Sequence, residues 1–279
     1  MEKVRNHIRI DGGTKLIVFL GSSYKSSKMY RMYNAVFRTM ELNYLYVPAP
    51  VGDLEKAVDG IRNLGIAAAG ITIPYKIDIM QYLDELDDTA QRIRAVNYLL
   101  NHNGKLIGGN TDGEGAVMAL REEVEIAGCK VVIIGAGGAA RAVAYAVSGA
   151  GGKVTILNRN LDKAAELAGT VRCQHGGLGI MAEAMTGADI LINCTSVGMA
   201  GTDSENLSIV PADLLKSKMV VMDLVIYPQV TPLIRNARMK NCRIVQAHKM
   251  LLWQGILKFK KYTGVEPDIE TMIRAMETD

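Results

Sequence analysis

Aromatic side chains are scarce in this sequence: one Trp, three Phe and eleven Tyr amount to 5% of 279 residues. A chain so poor in rings is no stacking platform for bases or sugars, and it fills its core with aliphatic and methionine side chains instead. Cysteine is equally sparse. Cys129, Cys173, Cys194 and Cys242 lie far apart with no C-x-x-C pair, which argues against a metal-ligand spacing and a disulfide framework and fits a reducing cytoplasm. No run of about eighteen apolar residues is present. Residues Met1 to Asp11 mix charges of both signs without a hydrophobic signal core, so the expectation is a soluble, cytoplasmic protein with no membrane partner. Neither sign of charge dominates: 32 Lys and Arg against 29 Asp and Glu leave a net charge of +3, and no dense basic block could track a phosphate backbone. Nucleic acid is not an expected partner.

What the sequence has is an ordinary globular balance, 49% hydrophobic and 22% charged, over a length that suits two domains of about 150 residues each. Short β-rich runs alternate with helical periodicity. Lys15 to Leu20 reads as a strand, Met29 to Met40 as a helix, and Tyr44 to Val47 as a strand stopped by Pro48. Asp53 to Leu64 reads as a helix capped by Asp53, and Ile66 to Ile73 as a strand ending at Pro74. This alternation predicts a parallel sheet with right-handed crossovers. Ala95 to Asn110 reads as a hairpin joined across Asn101 to Gly104, leading into a Gly-rich turn at Thr111 to Gly115. From Lys130 a second α/β pattern runs through KVVIIG, KVTILNR, ADILINCTS and MVVMDLVI, the continuous apolar strands of a sheet covered on both faces. Residues 250–276 read as helix interrupted at Gly264. The predicted fold is α/β: an N-terminal domain with a parallel sheet over 1–112, completed by 248–279 as the last helix returns to it, and a C-terminal Rossmann-like domain over 113–247.

The chemistry concentrates first at Gly135-Ala136-Gly137-Gly138-Ala139-Ala140, a G-x-G-x-x-A pattern placed just after a strand and at the opening of a helix. Gly135 can make the tight turn, Gly137 lets the backbone approach a pyrophosphate, and Ala140 permits close helix packing, while the helix N-terminus offers N–H groups to the phosphates. The next strand ends in Asn158-Arg159-Asn160, where an NAD site would present an acid to the ribose 2′-hydroxyl. Arg159, with Lys163 one turn on, can meet a 2′-phosphate instead, so NADP is the expected cofactor; Asp162 nearby leaves NAD open.

Further islands stand at Thr72-Ile73-Pro74-Tyr75-Lys76, Ala95-Val96-Asn97, Asn110-Thr111-Asp112-Gly113-Glu114-Gly115, Asn193-Cys194-Thr195-Ser196-Val197-Gly198-Met199 and Asp223-Leu224-Val225. In order and spacing these islands make the chain resemble the shikimate/quinate dehydrogenase family over nearly its whole length. The resemblance implies reversible NADP-linked oxidation of a hydroxyl on a cyclic polyol acid, shikimate or quinate, with Lys76 and Asp112 as the proton-transfer pair. A base accepting the hydroxyl proton as hydride leaves the same carbon is what this oxidation needs. It also implies Ser27, Thr72, Asn97 and Gln254 as substrate ligands, and adds Thr195 and Val225 to the cofactor set of Gly135, Ala136, Gly137, Gly138, Ala139, Asn158, Arg159 and Lys163.

The chain departs from the family pattern at the substrate end. Where the family carries H-S-x-S-P-x-x-H-N, this sequence has Ser26-Ser27-Lys28-Met29-Tyr30-Arg31-Met32-Tyr33-Asn34, so Met29 replaces the second carboxylate-binding serine. A thioether donates no hydrogen bond, and compensation has to come from Lys25, Ser26, Lys28 or Arg31. Gly70 stands for a family asparagine and Ile226 for a tyrosine, with Tyr227 one place on. Two alternatives therefore stay open here: a dehydrogenase of a related ring acid such as aminoshikimate, and a non-catalytic NADP- or metabolite-sensing homologue. Monomer and homodimer are both open.

Overall fold

The structure is a computed structural model that describes residues 10–21 and 27–277. It comprises two units, Met1–Thr111 with Gly255–Asp279, and Asp112–Gln254. Among the described residues no helix is long and apolar enough to cross a membrane.

The first unit runs β1 (Lys15–Leu20), α1 (Met29–Thr39), β2 (Tyr44–Ala49), α2 (Leu54–Asn63), β3 (Ala68–Ile71), a 3-10 turn at Asp78–Tyr82, β4 (Glu85–Leu86), α3 (Asp88–Ile93), β5 (Tyr98–His102) and β6 (Lys105–Gly109). Its six strands lie in the order β2-β1-β3-β5-β6-β4. The sheet is mixed rather than parallel. β2, β1 and β3 are parallel as the alternation predicts, but β5 is antiparallel to β3 and to β6. The hairpin turn at Asn103–Gly104 then sends β6 back in the direction of β3; both turn residues take positive φ, 54° and 92°, the geometry that lets a two-residue loop follow the strands' twist. β2 does not stop at Pro48 but reaches Ala49, because it is an edge strand and a missing N–H there breaks no second ladder. α2 is capped as the sequence predicts, with the Asp53 carboxylate accepting from Lys56 N at 3.1 Å.

Nine of the fifteen aromatic rings are gathered into one knot in this unit, and all three phenylalanines belong to it. Tyr33 meets Tyr46 edge to face at 4.8 Å, and Phe37 stacks on Phe259 at 5.2 Å. Phe259 and Tyr262 come from α9 (Ala247–Thr263), whose residues from Gly255 onward belong to the first unit, and α10 (Ile269–Glu277) completes it. Tyr33 donates its hydroxyl to the Gly255 carbonyl at 2.9 Å. The hydroxyls of Tyr46 and Tyr262 are buried and have no hydrogen-bond partner among the described residues. Burial pushes the phenols of Tyr33, Tyr46 and Tyr262 well above their usual pKa, and the neighbouring phenols add to it.

The second unit contains α4 (Asp112–Arg121), β7 (Lys130–Ile134), α5 (Gly138–Gly149), β8 (Lys153–Leu157), α6 (Leu161–Val171), β9 (Gln174–Gly176), α7 (Met181–Ala184), β10 (Ile190–Asn193), β11 (Val220–Asp223), α8 (Pro232–Met239) and β12 (Arg243–Gln246), together with the first residues of α9. All its strands are parallel, in the order β12-β11-β10-β7-β8-β9. Counted within the unit, this is the doubly wound Rossmann order, with the switch of direction between β7 and β10. One expectation is overturned. The glycines at Thr111 to Gly115 do not make a turn: α4 begins at Asp112 and runs straight through them. They are glycines because α4 lies against its neighbours backbone to backbone. A Cβ on Gly113 would collide with the Ala142 carbonyl of α5, and one on Gly115 would lie 2.7 Å from Gln254 N of α9.

Two stability outcomes follow, both read by denaturant titration. Gly113→Ala forces α4 off α5 and costs about 1–3 kcal/mol or more. Tyr46→Phe removes a hydroxyl buried without a partner, so its stability equals or exceeds wild type by up to about 1–3 kcal/mol.

Candidate active site

In the second unit the candidate cofactor residues line up along one edge of the sheet. Gly135 to Ala139 follow β7, Asn158 and Arg159 follow β8, Thr195 follows β10 and Val225 follows β11, so these stand just beyond the carboxyl ends of parallel strands, while Lys163 lies in the first turn of α6. Gly135 has φ +118°, and a Cβ there would lie 3.2 Å from the Cys194 carbonyl, so only glycine makes this turn between two strand ends. Gly137 is different: a Cβ on it would meet nothing within 4 Å, and no side chain caps the N-terminus of α5. That open, uncapped helix end is the cradle that a dinucleotide pyrophosphate requires. Arg159 and Lys163 are exposed and make no ion pair among the described residues. Asn160 caps α6 by accepting from Lys163 N at 3.0 Å, and Asn158 donates to the Asn160 carbonyl at 2.9 Å, which fixes the backbone on both sides of Arg159.

In the first unit Thr72, Lys76 and Asn97 are gathered around the carboxyl end of β3. Thr72 N donates to the Leu20 carbonyl at 2.9 Å, Val96 N to the Lys76 carbonyl at 2.7 Å, and Ile71 N to the Asn97 carbonyl at 2.8 Å. Asn97 is fully buried. Its side chain takes the Thr111 N–H at 3.0 Å and donates to the Thr111 hydroxyl at 3.1 Å. Asn110 donates to the Ala95 carbonyl at 3.0 Å. The strand-end loops at 95–97 and 110–111 are thus bolted together by two asparagine side chains, and the next residue is Asp112, 1% exposed, at the start of α4. Lys76 itself is half-buried, as is Gln254 in α9.

The departures have structural counterparts. Ser27 accepts the Met29 N–H at 3.3 Å, beside the start of α1. Met29 is buried, and its sulfur would lie 3.5 Å from a Cβ on Gly255, so the residue in place of the second serine serves the packing of α1 on α9. Lys28 is committed to the Met276 carbonyl at 2.8 Å. Lys25 and Ser26 lie outside the described residues. A Cβ on Gly70 would lie 2.5 Å from the Tyr46 hydroxyl and 3.4 Å from that of Tyr262, so tyrosine hydroxyls fill the space an asparagine side chain would take. Ile226 and Tyr227 are both exposed, at 48% and 73%.

Asn193 and Asp223 stand within motifs of the sequence that gave neither of them a role. Both are buried, each the last residue of an apolar strand, and that polar ending is the signal that could have singled them out. Burial raises the Asp223 carboxyl above its usual value against the pull of hydrogen bonds from Thr231, Val225 and Asn193. Thr195 lies in the same network, with its hydroxyl donating to Asn193 Oδ1 at 2.7 Å and accepting from Val197 N at 3.2 Å. A groove of about 750 Å³ opens elsewhere, at Lys130 and Lys153, the first residues of β7 and β8, and so at the opposite strand ends from the cradle. Among the described residues no cluster of three or more His, Cys, Asp or Glu is placed to hold a metal ion.

Residues 19–99 match the family model of the shikimate dehydrogenase substrate binding domain, and residues 118–247 match that of shikimate/quinate 5-dehydrogenase. A shikimate dehydrogenase (NADP(+)) of Pyrococcus abyssi is 42% identical over 260 residues, covering 93% of this chain and 96% of that one. The enzyme of the same name from Methanocaldococcus jannaschii is 41% identical over 281 residues, covering 96% and 98%. A crystal structure of shikimate 5-dehydrogenase from Thermus thermophilus in complex with NADP(H) and shikimate superposes with a TM-score of 0.84 at 31% identity, covering 94% of this chain and 98% of that one. With both halves of its sheet architecture and nearly its whole sequence matched in this way, the chain is an oxidoreductase of the shikimate/quinate dehydrogenase family.

Proposed function

We propose that this chain catalyses the reversible, NADP-dependent oxidation of shikimate to its 3-dehydro ketone. The observation that carries the reading is the bolted arrangement of Lys76, Asn97 and Thr111 ahead of Asp112: the residues that the family resemblance makes catalytic stand on loops tied to one another rather than on free surface turns. A pure sensor of NADP would need the cradle and not this second cluster, and the close relatives that bear an activity in their names are dehydrogenases.

The first unit would bind the substrate and the second the cofactor. The open face at Gly137 and the uncapped start of α5 would receive the pyrophosphate, and Arg159 with Lys163 the 2′-phosphate. NADP+, when bound, supplies the hydride acceptor. Lys76 takes the proton from the reacting hydroxyl and returns it in the reverse direction, while Asp112 orients the ammonium and that hydroxyl. Thr72, Asn97 and Gln254 would hold the ring hydroxyls. Ser27 would hold the carboxylate together with a group from Lys25, Ser26, Lys28 or Arg31, since Met29 is turned into the packing against α9.

The test is nicotinamide reduction followed by absorbance with shikimate and NADP+. Lys76→Ala lowers kcat by about 10²–10⁴-fold while NADP+ binding, measured by calorimetry, stays at the wild-type value. Loss of binding along with turnover, or turnover that survives the substitution, overturns the assignment of Lys76. Arg159→Ala weakens NADP+ by about 10–100-fold, the worth of a charge-assisted hydrogen bond, and leaves NAD+ binding unchanged; equal effects on both cofactors would show that Arg159 does not meet the 2′-phosphate.

A further inference from the structure

Asp223 is a carboxylate 1% exposed, and among the described residues it makes no ion pair. A buried charge without a cation is costly, and an apolar side chain there would leave a better-packed strand end. What the carboxylate does instead is tie loops together. It ends β11, directly paired in register with Asn193, which ends β10. One oxygen accepts from Asn193 Nδ2 at 3.0 Å and from Val225 N at 3.1 Å, and the other accepts from the Thr231 hydroxyl at 2.6 Å. Each donor leads on to a further element. Thr231 caps α8 by accepting from Ile234 N at 3.2 Å. Asn193 takes both the N–H and the hydroxyl of Thr195, at 3.0 and 2.7 Å, and through that hydroxyl reaches Val197 N. A single carboxylate thereby sets the course of the loops after β10 and β11 and the start of α8.

These are the loops on the far side of the sheet's switch point from Arg159. In a doubly wound sheet a dinucleotide lies across that point, so if its adenosine half is at the β8 end, its nicotinamide half is over the ends of β10 and β11. We infer that Asp223 is a positioning residue for the nicotinamide half of the cofactor, acting through Asn193, Thr195 and Val225 without itself touching the ring. The inference rests on the NADP reading above. It also gives Thr195 a different part from the one expected of a polar loop residue. Its hydroxyl is spent inside the protein, which leaves its methyl and backbone to face a ligand.

The experiment compares two probes, NADP+ and 2′,5′-ADP, which carries the adenosine half alone, by calorimetry on the full chain. Asp223→Ala weakens NADP+ by tenfold or more and leaves 2′,5′-ADP at its wild-type affinity. Asp223→Asn restores most of the loss, because its remaining oxygen still serves Asn193 and Val225 and its amide can donate to the Thr231 hydroxyl. Equal weakening of both probes would reduce Asp223 to a general structural role and overturn the inference, as would unchanged binding of both. If Asp223→Ala does not fold, Asn193→Ala cuts the same bridge from the other side and has to give the same split. A wild-type protein that binds neither probe overturns the cofactor reading and this inference with it, whereas normal wild-type binding without the split overturns the inference alone.

Discussion

The contact on which the second unit depends is the approach of α4 to its neighbours at backbone distance. Gly113 lies on the Ala142 carbonyl and Gly115 on the backbone of Gln254, and side chains at either place would hold the helices apart. This fixes more than packing. α4 opens with Asp112, and Gln254 is itself a candidate ligand, so the same glycines that let the helices touch set the places of two site residues. Close packing of this kind has little freedom to adjust, because backbone atoms have no rotamers with which to relieve a clash.

Much of this architecture was legible in the sequence, for definite reasons. β1, α1 and the apolar strands β7, β8, β10 and β11 have patterns strong enough to show themselves, and Asp53 announces α2 by its cap. The cradle at Gly135 to Ala139 was legible because Gly135 has a backbone task that no other residue can perform there, and Gly137 leaves the start of α5 open. What failed to show was whatever depends on a partner distant in sequence. The glycines after Thr111 read as a turn because their reason, the surface of α5, is some thirty residues away. The one reversed strand of the first sheet, β5, follows from how its hairpin docks on β3, and local alternation is blind to that. β9 and β12 are too short, and too polar in the case of β9, to carry a period at all.

The candidate site was legible as a set of motifs and not as a set of bonds. Asn97 matched a ligand position, and the structure shows that its side chain also locks Thr111 in place. Asn193 and Asp223 attracted no role, although a polar residue closing an apolar strand has to be satisfied by something, and here each satisfies the other. Residues of this kind matter because they fix what the ligand-facing groups can do, and a linear pattern records only the groups.

The substrate end shows how one position of a sheet can constrain another. Where the family resemblance places an asparagine, Gly70 leaves a space that the Tyr46 and Tyr262 hydroxyls close, with Tyr46 only 2.5 Å from where a Cβ would stand. The two positions are therefore not independent. A side chain at position 70 and the Tyr46 hydroxyl exclude one another, since the first atom of the new side chain would meet it. Strand and ring behave as a single steric unit, in which a change at one has to be matched by a movement of the other.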